Sequence, residues 1–168
     1  MLMINKNQQG VGLIEVLISL LILAIGVMGF IALQYRAIEA TAESGSRIQA
    51  VNLARDLAER MRVNRGAEEV YAFQLNRADT QMTSSTNCFN ANCSSTDLAD
   101  FDVELITKKA RTMGMTANYL PCQGNEDNRR CIYVAWGDTA ATDGANNGNC
   151  TTGTNYEPNS TCLIMEVY

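Results

Sequence analysis

The chain has 168 residues, 46% apolar and 18% charged, which excludes intrinsic disorder and collagen-like repeats and fits one modest domain with a terminal appendage. Its 13 Lys and Arg stand against 18 Asp and Glu, a net charge of −5, and no basic stretch is dense enough for a nucleic-acid footprint, so no nucleic acid is expected as partner. Histidine is absent; that removes the usual general base and the commonest metal ligand, and neither metal nor other cofactor is expected.

The chain opens on its most apolar segment. From Val16 to Leu33, 18 residues pass without a charge, roughly 27 Å of helix and close to the hydrocarbon thickness of a bilayer. The segment contains Gly26 and Gly29 but no proline, so a continuous membrane-inserted helix is expected. A secretory signal would instead carry a shorter apolar core and a small-residue cleavage site of the A-x-A kind. Here the apolar run passes into Gln34, Tyr35 and Arg36. Positive charge is sparse on both sides (Lys6 before the run, Arg36 and Arg47 after it), and a cytoplasmic N-terminus is the simpler orientation. The cysteine-rich remainder then faces an oxidising compartment. Glu15 stands among apolar neighbours at the start of the run. A carboxylate inside a membrane helix costs about 2.5–3.5 kcal/mol at mid-depth and less near an end. Either it snorkels to the interface or it awaits a cationic partner, such as a free amine made at Val11 of a neighbouring subunit by a cut after Gly10.

The run from Lys6 to Leu23, KNQQGVGLIEVLISLLIL, resembles the leader and methylation signature of type IV prepilins and related pseudopilins. The resemblance implies that a membrane prepilin peptidase cuts after Gly10 and methylates the new N-terminus, Val11. It also implies that Glu15, the fifth residue of the mature chain, pairs with a neighbour's N-terminus during filament assembly. Val11 stands where that family most often has phenylalanine, and Gly12 where it often has threonine. The missing helix proline is more usual of minor pilins. The domains implied are a cleaved leader (1–10), a transmembrane and filament-core helix (11–34), an amphipathic continuation (35–66) and a disulfide-rich periplasmic head (67–168).

Beyond Leu33 the pattern turns amphipathic without a break. Ile38, Ala42, Gly45, Ile48, Val51, Leu53, Ala54, Leu57, Ala58 and Met61 recur near helical spacing. Glu43 with Arg47, Arg55 with Glu59, and Asp56 with Arg60 are i,i+4 pairs on the polar face. Arg62, Arg65 and Gly66 make a C-terminal signal. One helix is therefore predicted from about Gly12 to about Asn64. The stretch Arg47–Asn64, RIQAVNLARDLAERMRVN, resembles the corresponding stretch of PilV-type minor pilins.

In the remainder, Glu68–Asn76 reads as a short helix or an irregular link, and Thr80–Asn92, rich in Ser, Thr, Asn and Gln, reads as loop. Ser95 or Thr96 caps a helix in which Leu98, Phe101, Leu105 and Ile106 share a face and Lys108, Lys109 and Arg111 sit at the end. After Gly114 strands are expected around Tyr119–Leu120, over Arg130–Trp136 and over Cys162–Tyr168. Asp138–Ser160 is polar enough to read as a long loop. The fold class is α+β, a helical spine on a small antiparallel sheet.

The cysteines are Cys88, Cys93, Cys122, Cys131, Cys150 and Cys162. None form CxxC, and without histidine a zinc site would need four thiolates at unhelpful spacings. Disulfides are the expected use. Of the 15 pairings six cysteines allow, nearest neighbours are favoured: Cys88 with Cys93, Cys122 with Cys131, and Cys150 with Cys162. No nucleotide-binding, hydrolase or metalloprotease motif is present. Acidic neighbours such as Asp100 with Asp102 or Glu126 with Asp127 read as solvated side chains, so no enzyme is expected.

Two classes of function remain. The resemblance implies a minor pilin in the bacterial inner membrane that enters a type IV pilus. Its partners would be prepilin peptidase, other minor pilins, the major pilin and a pilus-tip adhesin. It would act in the tip or priming complex that starts assembly and supports adhesion and twitching motility. A pseudopilin of a type II secretion system is the alternative within the family. A single-pass binding protein using the 138–160 loop is the alternative outside it, and it would leave Gly10 and Glu15 unexplained.

Overall fold

A computed structural model describes residues 12–124 and 127–167. Its first element, α1 (Leu13–Val63), is an unbroken helix of 51 residues. The chain divides into two compact units, one ending at Glu43 and one starting at Ser44.

The first unit is the N-terminal part of α1. No side chain between Gly12 and Glu43 is buried. An 18-residue window here has a mean hydropathy of 2.9 with none of it buried, so the fold itself supplies no cover for these apolar side chains. Gly26 and Gly29 have nothing within 4 Å of a Cβ position.

In the second unit, α1 buries Ala50, Leu53, Ala54, Leu57 and Met61, the i, i+3, i+4, i+7, i+11 stripe of an amphipathic helix. A 3-10 turn (Arg65–Ala67) leads into α2 (Glu68–Leu75), and α3 (Ser95–Thr112) follows a loop. The cap of α3 is Ser94, one residue before the expected pair. Its hydroxyl accepts from the Asp97 amide at 3.2 Å while Asp97 accepts from the Ser94 amide, a capping box. Gly114, at φ +68°, takes the left-handed position after the helix. The fully buried stripe of α3 is Ala99, Val103, Ile106 and Ala110, with Leu98 and Leu105 only half-buried.

A three-stranded antiparallel sheet carries the core. Its strands are β1 (Met115–Pro121), β2 (Arg130–Trp136) and β6 (Cys162–Val167), with β2 in the middle. Ile132, Val134 and Trp136 face the helices, and Cys131, Tyr133 and Ala135 face the other side. Both faces of β2 are covered, which is why it reads as a continuous apolar run.

The second cover corrects an expectation. Residues 138–160 do not form one long loop: they fold into β3 (Ala140–Asp143), β4 (Asn149–Thr152) and β5 (Asn155–Tyr156), a small mixed sheet. Polar side chains stitch it. Asp143 accepts from the Thr151 hydroxyl at 2.7 Å and the Gly153 amide at 3.0 Å, and the Asn149 side chain accepts from Thr142 at 2.5 Å.

Two disulfides are formed, Cys88–Cys93 and Cys122–Cys131. The third expected bond is not: Cys150, buried in β4, and Cys162, half-buried at the start of β6, are free thiols packed in one apolar cluster. The two sulfurs interact directly. That contact, with burial, raises Cys150, whereas the same contact lowers Cys162. Cys162, lowered and the less buried of the two, is expected to be the thiol that attacks a disulfide oxidant first. Oxidised glutathione is expected to form a mixed disulfide on Cys162, which Cys150 then resolves with loss of two hydrogens from the chain. Intact mass follows both steps. Modification of Cys150 at full rate in a Cys162→Ser chain would contradict this order.

Candidate assembly site on the N-terminal helix

Gly10 and Val11, the expected cut site and methylated terminus, lie outside the described residues. Glu15 lies inside them, in the first turn of α1. Its amide donates to the Gly12 carbonyl at 2.9 Å, and its own carbonyl accepts from the Ser19 hydroxyl at 2.7 Å. An acid in a first turn is favoured by the helix macrodipole. That local benefit explains its compatibility with the helix but not its choice over a neutral residue in so apolar a stretch. The helix surface around it is hydrocarbon: Leu13, Ile14, Leu17 and Ile18 are about half or more exposed. Such a surface needs lipid or other helices, and a carboxylate within it needs a cation.

The rest of the helix is tied to the head through a buried polar node. Asp102 of α3 is 5% exposed. It accepts from Arg60 of α1 at 2.6 Å and from the Tyr71 hydroxyl of α2 at 2.7 Å. Arg60 also donates to Asp56 at 2.9 Å, which Lys109 of α3 reaches at 2.8 Å. The Asp56–Arg60 pair appears as expected, but Arg55 does not pair with Glu59, whose carboxylate lies 4.0 Å from Arg62. Sequence reasoning missed the node. Its one signal was an acid at 102 between Phe101 and Val103 on a helix with a buried face.

The carboxylates that might have suggested hydrolysis are engaged structurally. Asp100 accepts from the Ser85 amide at 3.0 Å, and Asp102 is held as above. Ser84 and Lys108 bind Glu104, fastening the 80–94 loop to α3. Within that loop Phe89 stacks edge-on against Phe101 at 5.0 Å. Among the described residues no group of three or more His, Cys, Asp or Glu side chains could hold a metal ion.

These features define a class of protein with an uncovered apolar helix, an acid near the start of that helix and a disulfide-braced α+β head. The family models carry that further. The model of the prokaryotic N-terminal methylation motif matches residues 5–31, and the model of the type IV pilin Tt1218 matches residues 32–104. No curated protein and no solved structure matches the chain. The chain belongs to the type IV prepilin family, and its α+β fold is pilin-like. That family is structural rather than enzymatic. The methylation motif implies processing by prepilin peptidase and assembly with other pilins, and the apolar helix is consistent with anchoring in the inner membrane. The pilin match spans α2 and reaches into α3, so Arg60, Tyr71 and Asp102 all fall within it.

Proposed function

We propose that the chain is a minor pilin of a type IV pilus, of the PilV type, which enters the tip or priming complex that starts pilus assembly. The observation that carries the reading is an uncovered apolar helix with Glu15 in its first turn, within the residues matched by the methylation motif. The absence of proline from Leu13–Val63 favours a minor over a major pilin. In this reading the peptidase cuts after Gly10, Val11 becomes the methylated terminus, and residues 11–34 anchor the chain before they enter the filament core. Residues 35–66 continue the helix, and 67–168 form a periplasmic head. Other minor pilins, the major pilin and a tip adhesin are its partners, and surface attachment and twitching depend on it.

Processing and assembly are separately testable. Gly10→Leu is expected to leave full-length precursor in the membrane, read as an intact mass that retains residues 1–10 and lacks the added methyl. Mature-sized protein from that variant would show that the cut lies elsewhere. Deletion of the chain should reduce sheared pili and twitching. Normal piliation with a defect in protein secretion would instead assign it to a type II secretion system.

A further inference from the structure

The link between β3 and β4 is fastened at two points. The Asn146 carbonyl accepts from the Asn149 side chain at 2.9 Å and from the Asn149 amide at 3.3 Å, and the Gly148 carbonyl accepts from the Ala140 amide at 2.7 Å. Asn147, between these anchors, is left out. It is exposed, and among the described residues its side chain has no hydrogen-bond partner and the Gly148 amide has no acceptor. Gly148 lies at φ +97°, and the nearest atom to a Cβ position there is the Asp138 carbonyl oxygen, 3.6 Å away. With no side chain of its own, the Gly148 nitrogen is open to the side chain that precedes it.

No other asparagine in the chain precedes a glycine. Each of the others is followed by a residue whose side chain crowds its amide nitrogen, and several are also held. Asn64 exchanges hydrogen bonds with Ser95 at 2.7 and 2.6 Å, and Asn118 accepts from the Tyr119 amide at 2.9 Å. Asn149 accepts from Thr142 at 2.5 Å and donates to the Gly144 carbonyl at 2.9 Å. Beside Asn147 and Gly148 opens a polar hollow of about 450 Å³, whose two charged lining residues, Asp138 and Glu157, are carboxylates. The pair is thus exposed to water, unbonded and sterically free.

We propose that Asn147 is a self-modification site, at which the folded head converts its own asparagine to isoaspartate and aspartate. The Gly148 nitrogen bonds to the side-chain carbonyl carbon of Asn147, the bond from that carbon to the side-chain nitrogen breaks, and ammonia leaves carrying the Gly148 amide proton. Water then opens the five-membered succinimide. Cleavage at the side-chain carbonyl gives aspartate, and cleavage at the main-chain carbonyl gives isoaspartate, with one more carbon in the main chain. Either product adds a third carboxylate to the hollow. Isoaspartate also lengthens the chain between the Asn146 and Gly148 anchors, so the bond from the Ala140 amide to the Gly148 carbonyl is the one that loosens. The inference stands apart from the minor-pilin reading and needs no partner but water.

The test incubates the processed full-length chain in detergent micelles at mildly alkaline pH and maps its asparagines by peptide mass, with a separation that resolves isoaspartate from aspartate. The same chain unfolded in urea, with both disulfides intact, is the comparator. Asn147 is expected to convert about tenfold or more faster than any other asparagine, and at a folded-state rate within about tenfold of the unfolded one. Isoaspartate should be the larger product, and in that fraction the Ala140 amide should exchange its hydrogen about tenfold faster or more. Gly148→Asn keeps a residue type that adopts positive φ but sets a Cβ beside the nitrogen. It should slow conversion by about tenfold or more while Trp136 fluorescence stays as it is. Asn147 left intact in the folded chain while the unfolded chain converts would overturn the proposal, because the fold would then hold the two groups apart. Conversion to aspartate alone would overturn it too, since direct hydrolysis of the side chain makes no isoaspartate, and that readout needs no variant. The measurement needs no filament, so its failure leaves the minor-pilin reading standing.

Discussion

Asp102→Ala is expected to destabilise the head by about 3–5 kcal/mol, the range for removing one partner of a buried charged node. The low end is favoured because Arg60 keeps Asp56 as a second acceptor. The larger share of the loss comes from Tyr71, whose buried hydroxyl loses its acceptor, a penalty of about 1–3 kcal/mol in itself. Tyr71→Phe removes the donor instead of the acceptor and should cost only about 1 kcal/mol. Denaturant unfolding of the processed chain in micelles, followed by the emission of Trp136, reports on the head alone. Trp136 is the single tryptophan and lies 8% exposed in the core. Equal losses in the two variants would mean that Asp102 acts through packing rather than as the common acceptor of α1 and α2.

The same node, with Glu104 and Tyr119, sets the pH range of the head. Burial pushes the Asp56 carboxyl up, but hydrogen bonds from Lys109 and Arg60 outweigh it and hold it below its ordinary value. Lys108 and Ser84 lower Glu104 likewise. A depressed carboxyl adds stability that is present above its unfolded pKa, about 4, and lost as pH falls through the folded value. Tyr71 is raised by burial and by its bond to Asp102, and Tyr119 by burial and by its bond to Glu68 at 3.0 Å. A raised phenol adds stability that is present below its unfolded pKa, about 10, and lost as pH rises through the folded value. The head should therefore hold a plateau from about pH 5 to about pH 9 and weaken on both sides. In Tyr71→Phe the alkaline loss should shrink while the acid loss stays. An acid loss that shrank in step would tie both limbs to one group.

What the sequence made legible follows from how local each signal is. The 51-residue helix was readable because its hydropathy and its later amphipathic stripe are both periodic over many turns. The strand at Arg130–Trp136 was readable because both its faces are covered, which writes a plain apolar run. The two bonded cysteine pairs lie 5 and 9 residues apart, so chain proximity alone suggested them. The sheet over 138–160 was not readable: Thr142, Asp143, Asn149 and Thr151 hold it through side-chain hydrogen bonds, and those residue types also spell loop. Nor was the Asp102 node, whose partners Arg60 and Tyr71 lie 42 and 31 residues away. The place of β6 at the edge of its sheet depends on strand order, which no local pattern encodes.

Glu15→Ala is expected to leave processing intact and to lower recovery of the chain in sheared pili by about 100-fold or more. In lipid, alanine is the better residue here, since it removes a carboxylate that costs up to about 2.5–3.5 kcal/mol at depth. A defect in anchoring would therefore contradict the placement of residues 11–34. In the filament the effect reverses. There Glu15 is read as the partner of a neighbour's Val11 amine among apolar helices, and its removal leaves that amine unpaired. Breaking such a buried pair from one side costs about 3–5 kcal/mol, and each 1.4 kcal/mol is about tenfold in a binding equilibrium. Glu15→Gln separates charge from shape: it keeps the side-chain size and one acceptor oxygen but cannot neutralise the amine, so it should assemble nearly as poorly as alanine. If Gln assembled as well as the parent chain, hydrogen bonding at the first turn of α1, and not charge pairing, would be what assembly requires of residue 15.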